Sequence, residues 1–329
     1  MSRFSDVVGH EQIIKYFQNA VSQDKLAHSY IITGEKGSGK KLLAGLFAKT
    51  VQCEAQGMLP CEECVSCRQS DSGNQPDIIW VTHEKPASIG VDDIRGQLIG
   101  DMQIKPYKSP HKIYIIDEAE KLTVQAQNAL LKTIEEPPEY GMIIFLTANS
   151  DIFLPTIISR CVMLNLHPLA DRLVKKYLME KIKVPDYKAD ICVAFSQGNL
   201  GRAVKLAQSE VFDSVKTQLI YSMKNADRLE LSRLMAGLKE AESTSFDIND
   251  YLDLILIWYR DVLLYKATKD TQRLVFRDEA EAIRTKAGKC TYEGIEAVIN
   301  AIGNAKLRLR ANVNEEVVME LMFLMIKEN

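Results

Sequence analysis

The chain has 329 residues, 46% of them hydrophobic and 26% charged, with a formal net charge of −3. That length predicts roughly two or three domains with sizeable cores, and the near-balanced charge excludes a stand-alone, strongly basic nucleic-acid binder, though not DNA contact within a larger assembly. No run approaches the ~18 uncharged apolar residues of a membrane span, and residues 1–6 lack the apolar stretch of a signal peptide, so a cytoplasmic location is expected.

In chain order, Ser29-Tyr30-Ile31-Ile32-Thr33 reads as a short buried strand that runs straight into Gly34-Glu35-Lys36-Gly37-Ser38-Gly39-Lys40-Lys41. This is a phosphate-binding loop complete up to its last position. Glycines let backbone N–H groups close around phosphate oxygens, and a lysine meets the β- and γ-phosphates. Gly34, Gly37, Ser38, Gly39, Lys40 and Lys41 are therefore the candidate nucleotide-binding residues. The last position of such a loop normally carries a Ser or Thr whose hydroxyl holds Mg²⁺. Lys41 has no oxygen to give a metal and adds a positive charge beside it. The loop is expected to hold phosphate and to be poorly equipped for metal-dependent hydrolysis. Leu42 to Ala48 follow at helical density, completing the strand–loop–helix context of a P-loop.

Four of the seven cysteines then cluster, Cys53, Cys61, Cys64 and Cys67. In a reducing compartment a disulfide framework is not expected. The spacing can place four thiolates around one ion, the shell of a structural zinc site with no open coordination position. An iron–sulfur cluster is the rival, although the fourth ligand lies upstream and no Cys-Pro follows the triplet; unmetallated core thiols are the third reading. Cys161, Cys192 and Cys290 are isolated and read as buried or incidental.

A second strand is expected over residues 77–81 and a third from Lys112, apolar until it ends at Asp117-Glu118. Acids at that place orient Mg²⁺ and polarise an attacking water; at a helix N-terminus they would simply suit the macrodipole. A helix with Ala126, Leu130, Leu131 and Ile134 near one face follows, and Pro137-Pro138 stops it. The fourth strand, residues 142–147, leads to Asn149, placed to contact water or γ-phosphate or else an ordinary turn residue. Ser159-Arg160-Cys161 follows an apolar helix over residues 152–158; Arg160 reads as a surface ion-pair partner or as an arginine finger for a neighbour's nucleotide site. Strands alternating with helices predict a parallel sheet with ligands at the carboxyl ends of the strands.

Beyond about residue 166 the pattern is helical, with breaks near residues 184–186, 196–199, 243–245 and 287–289 and strong amphipathic helices over 251–267 and 315–327. Arg202 starts or lines one of these helices, where it can reach phosphate or sit on the surface. His10, His28, His83, His111 and His167 form no ligand pair, and Trp80 and Trp258 are expected in the core.

Taken together, these residues resemble those of AAA+ clamp-loader subunits, and within that family the delta-prime, or stator, branch of the bacterial DNA polymerase III holoenzyme. The likeness is carried by Phe4-Ser5-Asp6-Val7-Val8-Gly9-His10, the P-loop, the four-cysteine insert, Ile89-Gly90-Val91-Asp92-Asp93-Ile94-Arg95, Asp117-Glu118-Ala119-Glu120-Lys121-Leu122, residues 128–138 ending in Glu-Glu-Pro-Pro, and Ser159-Arg160-Cys161. It is dense over residues 1–205 and thinner beyond, where Trp258-Tyr259-Arg260-Asp261 is similar to the collar. The resemblance implies an α/β AAA+ RecA-like parallel-sheet core over residues 1–166 with the zinc insert at 53–67. A small helical lid over 167–207 and an all-α collar over 208–329 would follow. It also implies gamma/tau and delta partners in a hetero-pentameric loader, a sliding clamp, and primer–template DNA reached through the complex. Arg160 would then act in trans, with Asp117 and Glu118 vestigial and ATP/Mg²⁺ at this chain's own loop an open question. Lys41 departs from the motor pattern of gamma/tau, whose own ATPase activity is the alternative.

Overall fold

The computed structural model describes residues 4–83, 85–244 and 246–328; the reading of residues 1–3 and the Ser245 end of one predicted break lie outside them. Apolar runs become the strands β1 (Ser29–Thr33), β2 (Ile78–Val81), β3 (Lys112–Ile116), β4 (Gly141–Thr147) and β5 (Val162–Asn165), of which β1, β3 and β4 are buried on both faces. They form one parallel sheet in the order β2-β3-β4-β1-β5. Parallel strands need helical crossovers that cover both faces, so their residues are apolar without alternation. Around the sheet lie α1 (Glu11–Ser22), α2 (Lys40–Val51), α3 (Val65–Asp71), α4 (Val91–Ile94), α5 (Val124–Glu135) and α6 (Pro155–Ile158).

The period of two along each strand sorts the core into two layers. Ile113 and Ile115 of β3 join Tyr30, Ile32, Phe17 and Phe47 on one face. Tyr114 and Ile116 join Ile31, Phe145, Leu130 and Ile134 on the other. Phe17 stacks on Phe47 at 4.0 Å and Tyr30 meets the same ring edge-on at 5.2 Å, fastening α1 and α2 to β1. Helix α5 starts where Thr123 accepts the Ala126 N–H at 3.2 Å, and it ends before Pro137-Pro138.

Strand β5 was not expected from the sequence. It has four residues, only one of them buried, and exists through its parallel pairing with β1 rather than through its own pattern. The second strand runs from Ile78; Asp77, one residue before it, accepts the Ile113 N–H at 2.8 Å through its carbonyl, and its carboxylate accepts N–H bonds from Tyr107, Lys108 and Ser109. The expectation that Trp80 lies in the core is corrected: β2 is the sheet edge, and Trp80 is 39% exposed. The helix expected over residues 152–158 shortens to α6, which Pro155 opens at its first turn.

The chain divides into two compact units, Met1–Leu169 with Asn199–Gly201, and Ala170–Gly198 with Arg202–Asn329. The second is helical: α7 (Asp171–Tyr177), α8 (Asp186–Ser196), α9 (Leu200–Ala207), α10 (Glu210–Lys224), α11 (Leu231–Ser243), α12 (Ile248–Thr268), α13 (Ala280–Lys289), α14 (Tyr292–Arg310) and α15 (Glu315–Glu328). Trp258 and Tyr259 of α12 are fully buried, as expected for Trp258, and Asp261 accepts the backbone N–H groups of Val275 and Phe276 at 2.8 Å each. The break expected at 287–289 falls later, since α13 runs through Gly288 to Lys289. Among the described residues no helix is long and apolar enough to cross a membrane.

Candidate functional site

Parallel strands deliver their carboxyl ends to one edge of the sheet, and the loops that carry chemistry emerge there. After β1 the chain turns through Gly37 at φ 92° and Gly39 at φ 101°, conformations that strain any side chain and turn successive N–H groups inward. Helix α2 begins at Lys40 with no side-chain cap, leaving its first N–H groups to an anion. Lys40 Nζ donates to the carbonyls of Gly34 at 2.5 Å and Glu35 at 2.9 Å. Burial lowers the Lys40 pKa, against the pull of Glu120, Asp117 and Glu35. Ser38 Oγ is buried and has no hydrogen-bond partner among the described residues. A cavity of about 500 Å³ lies over this loop, lined by Gly37, Gly39, Lys40, Lys41, Asp117 and Glu118 among others.

Both acids at the end of β3 are engaged by lysines. Lys41 Nζ lies 2.7 Å from Asp117 Oδ2, and Lys121 Nζ 2.5 Å from Glu118 Oε2. The Lys121 hydrogen bond holds the Glu118 carboxyl below its ordinary pKa. Glu118 itself sits in the left-handed region, at φ 49°. Glu120 accepts the Ala148 N–H at 3.1 Å, tying the ends of β3 and β4 together.

Asn149 is exposed in an Asx-type turn; its Oδ1 accepts the Asp151 N–H at 2.9 Å, and it does not line the cavity. Arg202, in the second unit, pairs with Asp250 at 2.5 Å and Asp253 at 3.3 Å and lies over the Phe195 ring. Arg160 stands on the turn after α6, donating to the Thr156 carbonyl at 3.0 Å and pairing with Glu135 at 3.1 Å. It is not among the residues lining the chain's own cavity. The pair joins two motifs that were read separately, Ser-Arg-Cys and Glu-Glu-Pro-Pro.

Asn199, read from sequence as part of a break, and Gly201, read only as flanking Arg202 at a helix start, belong to the loop's surroundings. Asn199 Nδ2 donates to the Lys36 carbonyl at 2.9 Å and the Gly201 N–H to the Gly37 carbonyl at 3.1 Å. A Cβ at Gly201 would come within 2.5 Å of that same carbonyl oxygen, so no side chain fits there. The Gly-Asn-Leu-Gly pattern at 198–201 was the available signal.

The four sulfur atoms of Cys53, Cys61, Cys64 and Cys67 lie within 4.8 Å of one another. Backbone N–H groups of Cys61, Cys64 and Cys67 each point at a cluster sulfur at 3.3 Å, the arrangement that stabilises thiolates. N–H groups of Glu63 and Cys64 lower the Cys61 thiol to about 6, while burial raises Cys53 and Cys67. The donor set and its spread fit one tetrahedral ion such as zinc, which would serve as a structural crosslink. Beside it Lys49 of α2, 3% exposed, pairs with Glu62 at 2.6 Å and Asp71 at 2.8 Å. Lys49→Met would leave two carboxylates half-buried without their cation and is expected to cost about 3 kcal/mol. Chemical denaturation of the metal-loaded chain measures this, and an unchanged midpoint would contradict the clamp. Cys192 and Cys290 are buried and Cys161 partly so.

The family described as "DNA polymerase III, delta subunit" matches residues 9–170. DNA polymerase III subunit delta' of Bacillus subtilis is 31% identical over 325 residues, covering 96% of this chain and 96% of that relative. Subunit tau of the same organism is 31% identical over 89% of this chain, but this chain spans only 56% of tau. Among solved structures, a DNA polymerase III gamma subunit-related protein from Thermotoga maritima has the same fold, with a TM-score of 0.50 and 20% identity over 96% of this chain and 98% of that one.

Proposed function

The chain belongs to the DNA polymerase III delta-prime family of AAA+ clamp-loader subunits, and from that premise we propose that it is the stator of a replicative clamp loader. It works in the cytoplasm with gamma/tau and delta subunits, helping to open a sliding clamp and place it on primer–template DNA. Residues up to 166 form its AAA+ core, those to 207 a lid, and 208–329 the collar that assembles the ring. Zinc at Cys53, Cys61, Cys64 and Cys67 braces the core.

One observation carries the reading: the acids that would run hydrolysis here are bound to lysines, while the arginine suited to a neighbour's site stands outside this chain's own cavity. Hydrolysis needs an acid free to orient metal and water. Glu118, held ionised by Lys121, is a weak base for activating water, because proton transfer works best with a pKa near the working pH. Arg160 exchanges its contact with Glu135 for the γ-phosphate in the adjacent subunit, where it stabilises the charge that develops on the transferred phosphoryl group.

The alternative is a gamma/tau-type motor, favoured by the retained Lys40, Asp117 and Glu118. Purified chain with Mg·ATP separates the two. The stator shows no turnover above background, whereas turnover abolished by Lys40→Ala establishes the motor.

A further inference from the structure

The loop's last position and the end of β3 disagree with the metal that such a site ordinarily uses. In a P-loop site Mg²⁺ draws oxygens from the loop's Ser/Thr and from the strand-end Asp. Here the first ligand is replaced by Lys41, and Asp117 Oδ2 is held by the Lys41 ammonium at 2.7 Å. One ligand is missing and another already carries a cation, so the residues present do not fit Mg²⁺. The phosphate-facing parts nevertheless remain around one cavity: the positive-φ Gly37 and Gly39, the uncapped start of α2, and Lys40.

We infer that Lys41 is a built-in cation standing in for the metal, so that this pocket binds a nucleoside di- or triphosphate without Mg²⁺. An ammonium has three donors, enough to hold Asp117 with one and reach phosphate oxygen with another. Its side chain is 67% exposed at the cavity rim, so the second donation requires no burial of an unpaired charge. Unlike a divalent ion, it supplies no bound water to ionise. The nucleotide therefore stays intact and acts as a structural ligand of the loop. This inference rests on reading the loop as a nucleotide site.

The test is equilibrium binding of ADP and of a non-hydrolysable ATP analogue to the purified full chain, with Mg²⁺ or with EDTA. The native chain is expected to bind with the same affinity in both. Lys41→Thr restores the metal's oxygen ligand and should make binding Mg²⁺-dependent. Loss of one charge-assisted hydrogen bond predicts a fall of about 10- to 100-fold in EDTA. Lys41→Gln keeps the length, removes the charge, and should weaken EDTA binding similarly, which guards against a misfolded threonine variant. Native binding that tightens strongly with Mg²⁺, or variants that match the native chain in EDTA, would overturn the inference while leaving a nucleotide site in place. No binding in either medium would overturn both the inference and the nucleotide reading of the loop. ATP turnover of an Arg160→Ala loader is independent of all these outcomes.

Discussion

Arg160→Ala in a clamp loader reconstituted with gamma/tau and delta is expected to lower DNA-stimulated ATP turnover at the one site it serves by about 10³-fold or more, the range for an arginine finger. The residue is suited to this because it is reachable: its side chain is 40% exposed and its partner Glu135 44%. An exposed pair of this kind contributes about 0–1 kcal/mol to stability. The variant should therefore fold and assemble like the native chain, with an unchanged melting temperature. Lysine at the same place should not rescue turnover, since a point-like ammonium lacks the planar fork that engages two phosphate oxygens at once. Unaltered ATPase in the fully assembled Arg160→Ala complex refutes the role outright.

Removing zinc from the site proposed at Cys53, Cys61, Cys64 and Cys67 is expected to have the largest effect on stability. The segment around Cys53, Cys61, Cys64 and Cys67 has little core of its own: Met58 is 53% exposed, Leu59 51% and Val65 49%. What ties it to the rest of the unit is the cluster of four cysteine sulfurs and the Lys49 clamp. Metal binding at such a site is folding energy, on the order of 10 kcal/mol of apparent affinity at neutral pH. Strong chelation or Cys61→Ser should lower the melting temperature and expose the 53–67 segment to proteolysis, with one zinc per chain measured beforehand. Iron in the metal analysis, or a chelated chain that melts like the untreated one, would remove zinc from the account.

The parts of the fold legible in sequence were those whose signal is local. Strands β1, β3 and β4 are uninterrupted apolar runs because helices cover both faces of a parallel sheet, and the glycine loop and cysteine spacing are read within a few residues. Strand β5 escaped because its apolar run, Val162-Met163-Leu164, is short and ends at Asn165, and only Leu164 of the strand is buried. Trp80 misled for a related reason: apolarity marks a strand but not whether that strand lies at the edge. The contacts of Asn199 and Gly201 with the loop escaped because Gly and Asn signal a turn, not what the turn touches.

By itself, then, the amino-acid order determined that a phosphate loop follows a buried strand, that its last side chain cannot ligate a metal, and that four thiols can share an ion. Each of these depends on residue chemistry at fixed short spacing. Only the tertiary structure decided that Lys41 rests on Asp117, that Lys121 takes Glu118, and that Arg160 rests on Glu135 rather than in its own cavity. Those partnerships depend on which strand and helix ends the parallel sheet brings side by side. A Coulomb attraction falls with distance through space, and separation along the chain carries little information about it.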